Sequence, residues 1–387
     1  MLPSEQPPAP ADDDAWRQVL DRWRRLWACP DVVELRDADR TLRLTLDEPA
    51  HATLLHTHLV RHGQAILYEA TPAADYGWID HHAHEIALPL VTTRPPAPNP
   101  LRATLPEVDN THGHLPGAPD SRWLTAKIHT HPERMNEILA RHLSALLDAL
   151  GGDHGWWFLR YHSSHETDHL RLRLRIDPGH YAACTNALGE WTQRMRQAGV
   201  TGRLVLDTYH PGVGRYGSGA ALAAAEDVFA ADSRLVAAML RTLPAATAHP
   251  TALVVAGMVG IVDGFLGGPA DAADWLTGRP TRTTAAIDRT VTDEAIRLAT
   301  DPDALRRLPG WIEPVEQAWR SRTDALAAYR VQLTSDVDTD AVLESLLHMH
   351  HNRAIGIDPG SERVCRRLAR RAALSRRERR PRDGGSR

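Results

Sequence analysis

From His169 to Ile176 the chain reads HLRLRLRI. Apolar residues at every second position mark a half-buried β-strand. Leu170, Leu172, Leu174 and Ile176 share one face, and His169, Arg171, Arg173 and Arg175 share the other. Shorter runs of β type occur at Val32–Leu35, Thr41–Leu46, Ala65–Ala70, Glu85–Val91, Trp123–Thr130, Trp156–Tyr161 and Arg203–Tyr209. Helical periodicity marks Ala15–Trp27, Ala50–Arg61, Pro132–Leu150 and His180–Gln197, and most of the chain from Ala220 onward. The pattern predicts an α+β protein. A small mixed α/β N-terminal module comes first, followed by an α+β domain with an early antiparallel sheet and a mostly helical C-terminal half. The strands WWFLRY and HLRLRL are expected to pair around HSSHETD.

Punctuation and composition set the boundaries. Residues 1–14 are proline-rich and acidic and read as disordered, and 15–92 form the first module. Residues 93–120 are proline-rich without periodicity and read as a linker, 121–374 form the main domain, and 375–387 a basic disordered tail. Hydrophobic residues make up 42% of the 387, enough for a real core. The net charge of −4 does not point to nucleic acid. The N-terminus has no signal-peptide pattern. The most apolar stretch, Thr251–Leu266, contains Asp263 and reads as a buried helix rather than a membrane span.

Cys29, Cys184 and Cys365 are odd in number and widely spaced, which argues against a disulfide framework and for a cytoplasmic setting. The histidine clusters HHAHE (His81–Glu85) and HTH (His129–His131) invite a metal reading, but HExxH and paired cysteines are both missing. With 22 histidines in the chain, chance clustering explains them, and no metal is expected.

Guanidinium groups lined along one strand face repel one another unless something anionic sits opposite. That face reads either as an anion site or as a solvated surface held by ion pairs. Three further motifs bear on the choice: DTYHPGVGRYGSG (Asp207–Gly219), AEDVFAADS (Ala225–Ser233) and SLLHMHHNRAIGID (Ser345–Asp358). In this order, after WWFLRY…HLRLRL, they resemble the C-terminal elimination domain of class I lantibiotic dehydratases, a family shared with thiopeptide-type bacteriocin biosynthesis proteins. WRQVLDRWRRLWACPDVVELRDADRTLRLTLDEPAH resembles the segment that precedes this domain, so the resemblance covers about residues 15–372. One departure is the loop HSSHETD, which replaces a shorter turn. The family's large glutamylating domain is not seen in the sequence.

The resemblance implies a lyase without a cofactor. It would remove glutamate from glutamylated serine or threonine of a ribosomally made precursor peptide, leaving dehydroalanine or dehydrobutyrine. Arginine suits a carboxylate cradle and histidine suits proton transfer. By motif, the catalytic candidates are His348, Arg171, Arg173 and Arg215, and the substrate-binding candidates are Arg160, His169, Tyr209, Tyr216 and Arg353. The expected partners are the precursor peptide and a separate glutamylating subunit. A homodimer stays open, and direct binding of tRNA by the basic tail is not expected. Two alternatives also stay open. One is a pyridine-forming formal [4+2] cycloaddition enzyme of the same family, and the other is a leader-peptide-binding scaffold without activity.

Overall fold

The computed structural model describes residues 13–37, 40–70, 113–151, 155–177, 179–244, 247–279, 287–335 and 337–379. The chain divides into two compact units, residues 1–98 and 99–387. The expected strand Glu85–Val91 and the cluster HHAHE lie outside the described residues.

The first unit contains α1 (Asp13–Trp27), β1 (Val32–Asp37), β2 (Arg40–Thr45), α2 (Pro49–His62) and β3 (Ile66–Glu69). Its sheet is antiparallel in the order β2-β1-β3. Alternation sends Val33, Leu35 and Leu44 inward against Trp16, Leu20 and Leu55. Trp16 donates its indole N–H to the Ala52 carbonyl at 2.8 Å and stacks on His56, so it belongs to the core, whereas Trp27 at the end of α1 is exposed.

The second unit begins with β4 (Trp123–His129). There follow α3 (Pro132–Glu137), a π-helical turn (Ile138–His142) and α4 (Leu143–Leu150). The expected single helix Pro132–Leu150 is therefore broken in the middle. The wide turn bonds Leu143 N–H to Ile138 O, and the His142 carbonyl accepts the indole N–H of Trp191 at 2.8 Å. Next come β5 (Trp156–Tyr161), β6 (His169–Arg175), α5 (Tyr181–Gln197) and β7 (Leu204–Asp207). All three strand pairs are antiparallel, in the order β5-β6-β4-β7. One face of this sheet carries Leu124, Ala126, Ile128, Phe158, Leu170, Leu172 and Leu174 and packs on α3, the π turn, α4 and α5.

The helical half comprises α6 (Val213–Tyr216), α7 (Ala220–Thr242), α8 (Pro250–Leu266), α9 (Pro269–Gly278), α10 (Arg289–Thr300), α11 (Pro302–Arg306), α12 (Glu313–Gln332), α13 (Thr339–Ala354) and α14 (Pro359–Arg379). The apolar α8 packs against α9, α10, α12, α13 and α14. No single described helix is long and apolar enough to cross a membrane. Close approach requires glycine on α8: a Cβ at Gly257 would fall 2.0 Å from His350 Nε2, and one at Gly260 would fall 2.6 Å from the Trp319 ring.

Asp232 of α7 ties the helices together. It accepts from Arg322 Nη1 at 3.0 Å, His350 Nδ1 at 2.8 Å and Arg353 Nη1 at 3.0 Å, all of them buried. Burial opposes its charge, but His350, Arg353 and Arg322 around it hold its carboxyl far below the ordinary range. At the C-terminus α14 continues to Arg379, so residues 375–379 are helix rather than disordered tail. Arg376 Nη1 donates to both carboxylate oxygens of Asp263, at 2.9 and 2.8 Å, which draws the basic segment onto α8.

Candidate functional site

The second face of the β5-β6-β4-β7 sheet carries the polar side chains. In register across it lie Trp157, Arg173 and Thr125, then Leu159, Arg171 and Lys127, then Tyr161, His169 and His129. Asp207 of β7 stands beside Thr125. The strand alternation therefore does place the arginines together, and their surroundings differ one by one.

Arg173 is 8% exposed. Its guanidinium lies over the Trp157 ring at 4.1 Å and the Tyr209 ring at 4.8 Å. Among the described residues its Nε and Nη1 have no hydrogen-bond partner, and no carboxylate pairs with it. Burial pushes its pKa down to about 10, still protonated at neutral pH. A desolvated cation faced by aromatic rings and lacking a counter-ion is a strong attractor for a carboxylate.

Arg171 is differently placed. It lies over the Tyr161 ring at 3.3 Å, and its Nη2 donates to Glu166 Oε2 at 3.0 Å. Its Nε donates to Nε2 of the fully buried His169 at 3.3 Å, while His169 Nδ1 meets the Thr167 carbonyl at 2.7 Å. A carbonyl only accepts, so His169 carries its proton on Nδ1 and offers a lone pair to Arg171. Burial lowers the His169 pKa and keeps the ring neutral. His169 thus orients Arg171. Arg175 pairs with the exposed Asp227 at 2.9 Å.

Above this face a second group converges. Tyr209 donates its hydroxyl to Glu226 Oε1 at 2.7 Å. Burial and the neighbouring Glu226 push the Tyr209 pKa up, so it stays a neutral donor, and burial likewise raises the carboxyl of Glu226. Tyr216 packs edge-on to Phe229 at 4.8 Å, and Phe229 in turn contacts Trp157 at 5.1 Å. The Tyr216 hydroxyl lies 2.7 Å from Ser345 Oγ, to which Arg215 Nη1 donates at 3.4 Å. Tyr216 is pinned by Tyr329, whose hydroxyl donates to its carbonyl at 2.9 Å. A continuous set of contacts therefore runs from Arg173 through Tyr209, Trp157, Phe229 and Tyr216 to Ser345 and Arg215.

Ser345 stands on α13, the helix of His348. His348 follows Ser345 by one turn and precedes Asn352 by one turn, so the three share a helix face. It is 55% exposed and not a core histidine, and its Nδ1 meets Glu362 Oε2 at 2.8 Å. Burial works against the Glu362 charge, but His348 and Arg366 outweigh it and bring the carboxyl to about 2.

Two candidates lie elsewhere. Arg160 is in register with Leu170, on the sheet face opposite Arg171 and Arg173. Its side chain is buried and donates to Arg353 O at 3.0 Å and Asn136 Oδ1 at 2.7 Å. Arg353 is buried with Asp232 and donates to Phe158 O at 3.2 Å. Neither joins the arginine face. Lys127, Glu166, Ser345, Glu226 and Glu362 escaped the sequence reading. Lys127 alone carried a signal, as an isolated cation on an apolar strand.

A cavity of about 420 Å³ among α8, α10, α11, α12 and α14 lies away from this face. Its charged groups already pair with one another, Asp263 with Arg376 and Glu316 with Arg306. Among the described residues no group of three or more His, Cys, Asp and Glu is placed to hold a metal ion.

The chain belongs to the lantibiotic dehydratase family, whose C-terminal domain model covers well over half of it. It matches the family described as lantibiotic biosynthesis dehydratase C-term over residues 123–373, and lantibiotic dehydratase, N terminus, over residues 1–55. The subtilin biosynthesis protein SpaB of Bacillus subtilis is 22% identical over 375 residues, covering 92% of this chain and 36% of SpaB. The fold is similar to that of MibB, a tRNA-dependent lantibiotic dehydratase from Microbispora sp. 107891. That similarity has a TM-score of 0.58 at 24% identity and covers 96% of this chain and 39% of MibB. TbtD, a pyridine synthase from thiomuracin biosynthesis, is more distant, with a TM-score of 0.47 at 14% identity over 66% of this chain and 98% of TbtD. The chain thus spans little more than a third of the length of SpaB and MibB.

Proposed function

We propose that this chain carries the elimination half-reaction of lantibiotic-type dehydration. It removes glutamate from glutamylated serine or threonine of a ribosomally made precursor peptide. The observation that carries this reading is Arg173, a buried guanidinium without a carboxylate partner among the described residues, on the same strand face as Arg171.

In the reaction a base takes the α-proton of the esterified residue, electron density passes to the neighbouring carbonyl, and the Cβ–O bond breaks. The products are a dehydroamino acid and glutamate, and the proton passes to the base. Arg173 and Arg171 hold the leaving carboxylates through their planar forks. Arg215, anchored on Ser345, stabilises the developing oxyanion. His348 transfers the proton, oriented through Glu362. Tyr209 and Tyr216 are committed to Glu226 and Ser345 and act by positioning. The reading requires no cofactor. A glutamylating subunit supplies the ester, and elimination itself requires no contact with tRNA.

The test is mass spectrometry of a precursor peptide bearing a glutamyl-serine ester after incubation with the full chain. Loss of glutamate to give dehydroalanine, abolished by Arg173→Ala and His348→Ala, is the expected result. An ester left intact by a chain that binds the peptide overturns the reading. Peptides with two preformed dehydroalanines would then test cycloaddition.

A further inference from the structure

The cation two positions along the strand from Arg173 is already occupied. Glu166, from the loop between β5 and β6, places Oε2 3.0 Å from Arg171 Nη2 and Oε1 2.5 Å from Lys127 Nζ. Lys127 reaches Asp207 on its other side at 2.6 Å. The loop is built to deliver this carboxylate. Ser163 Oγ accepts the backbone N–H groups of His165 at 3.2 Å and Glu166 at 3.1 Å, and Ser163 N–H donates to the Glu166 carbonyl at 2.9 Å. Thr167 Oγ1 lies 3.2 Å from His129 Nδ1.

Two cations and two carboxylates balance here. Asp207 sits on β7, in the sheet itself, and keeps Lys127 paired if Glu166 leaves. Glu166 sits on a loop, with its side chain 30% exposed, and is the one member of the four that can swing out without breaking the sheet. Its departure leaves Arg171 without a carboxylate and the cluster one positive charge in excess, the deficit that one incoming carboxylate fills.

We propose that Arg171 and Lys127 form a carboxylate seat which Glu166 fills in the free protein, and from which a dicarboxylate ligand displaces it while its other carboxylate binds Arg173. The spacing suits such a ligand. Residues i and i+2 of a strand lie about 6.6 Å apart, close to the roughly 5 Å between the two carboxyl carbons of an extended five-carbon diacid, so each carboxylate can face one of two neighbouring side chains. The ligand's identity as glutamate rests on the elimination reading, but the seat and its internal occupant do not. An occupant that fills the seat nine-tenths of the time weakens the ligand about tenfold.

The experiment is calorimetric titration of glutarate into the full chain and its variants, with thermal melts to confirm folding. Glu166→Gln keeps the shape of the side chain and removes its charge, and it is expected to bind glutarate about tenfold or more tighter than the parent. Ser163→Ala loosens the loop with the charge retained and is expected to fall between the two. In Glu166→Gln/Arg171→Ala the gain is expected to vanish. Equal or weaker binding by Glu166→Gln and Ser163→Ala overturns the proposal, as does a gain that survives loss of Arg171. Turnover of the glutamyl-ester peptide is followed in parallel. An intact ester alongside the glutarate gain strikes the elimination reading and leaves the seat standing, while turnover without the gain does the reverse.

Discussion

Asn352 completes the edge of the sheet at Arg160. Its Oδ1 accepts the Arg160 backbone N–H at 2.9 Å and its Nδ2 donates to the Arg160 carbonyl at 2.9 Å, across 192 residues of sequence. The Arg353 side chain takes the Phe158 carbonyl, and Ser233 Oγ takes the Phe158 N–H. Side chains thus replace the missing strand along β5, which leaves its backbone groups satisfied and closes an edge open to other pairing. Asn352→Ala leaves a buried donor and a buried acceptor unpaired and is expected to cost about 2 kcal/mol or more. Urea denaturation measures it, and a loss near zero would mean that the edge is satisfied in another way.

Arg173 is costly to the fold. A buried guanidinium with unpaired nitrogens pays desolvation without a salt bridge in return. Arg173→Leu is expected to raise or preserve the melting temperature while cutting the proposed elimination at least 100-fold. Arg173→Lys keeps the charge but loses the fork, and is expected to recover only part of the activity. Parallel melts and peptide turnover read both effects, and a clear drop in stability for Arg173→Leu would show that its charge is structural.

The pair His348–Glu362 has a defined pH signature. The folded-state carboxyl of Glu362 lies near 2, below the ordinary value of about 4.3. A depressed acid stabilises the fold above its unfolded pKa and loses that contribution as the pH falls through the folded one. The gap in melting temperature between the parent and Glu362→Gln is therefore expected to be full at pH 5 and to close as the pH falls toward about 2. A gap that does not change over this range would rule out the linkage.

Two glycine substitutions are expected to move in opposite directions. In Gly257→Ala the new methyl meets a buried His350 that is fixed on Asp232, and a loss of about 1–3 kcal/mol or more is expected. Gly189 lies in the interior of α5 with open space around its Cβ position, and Gly189→Ala is expected to gain about 0.5–1 kcal/mol. Thermal melts of the two variants decide both points.

The regular elements were legible because their signals are local. Alternation in HLRLRLRI named the strand and sorted its faces, and the observed partners of Leu170, Leu172 and Leu174 lie on the apolar side. Helix periodicity found α1, α2, α5 and the apolar α8 to within a residue or two. The π turn was missed because one extra residue in a turn leaves no mark on an amphipathic pattern. The helical end at Arg376–Arg379 was missed because a run of arginines reads as solvated until a half-buried carboxylate, here Asp263, is known to wait for it.

Sequence alone determined the family, the strand that carries the arginines and the alternation that puts His169, Arg171, Arg173 and Arg175 on one face. These follow from backbone geometry and residue order. Tertiary structure decided what each arginine does. It set Arg173 beneath Tyr209 with no carboxylate partner among the described residues, gave Arg171 to Glu166, turned Arg160 to the opposite face and buried Arg353 on Asp232. The physical reason is that a charged side chain takes its role from the partners and the dielectric around it. Those partners come from α7, α13 and a loop that are brought together only when the chain folds.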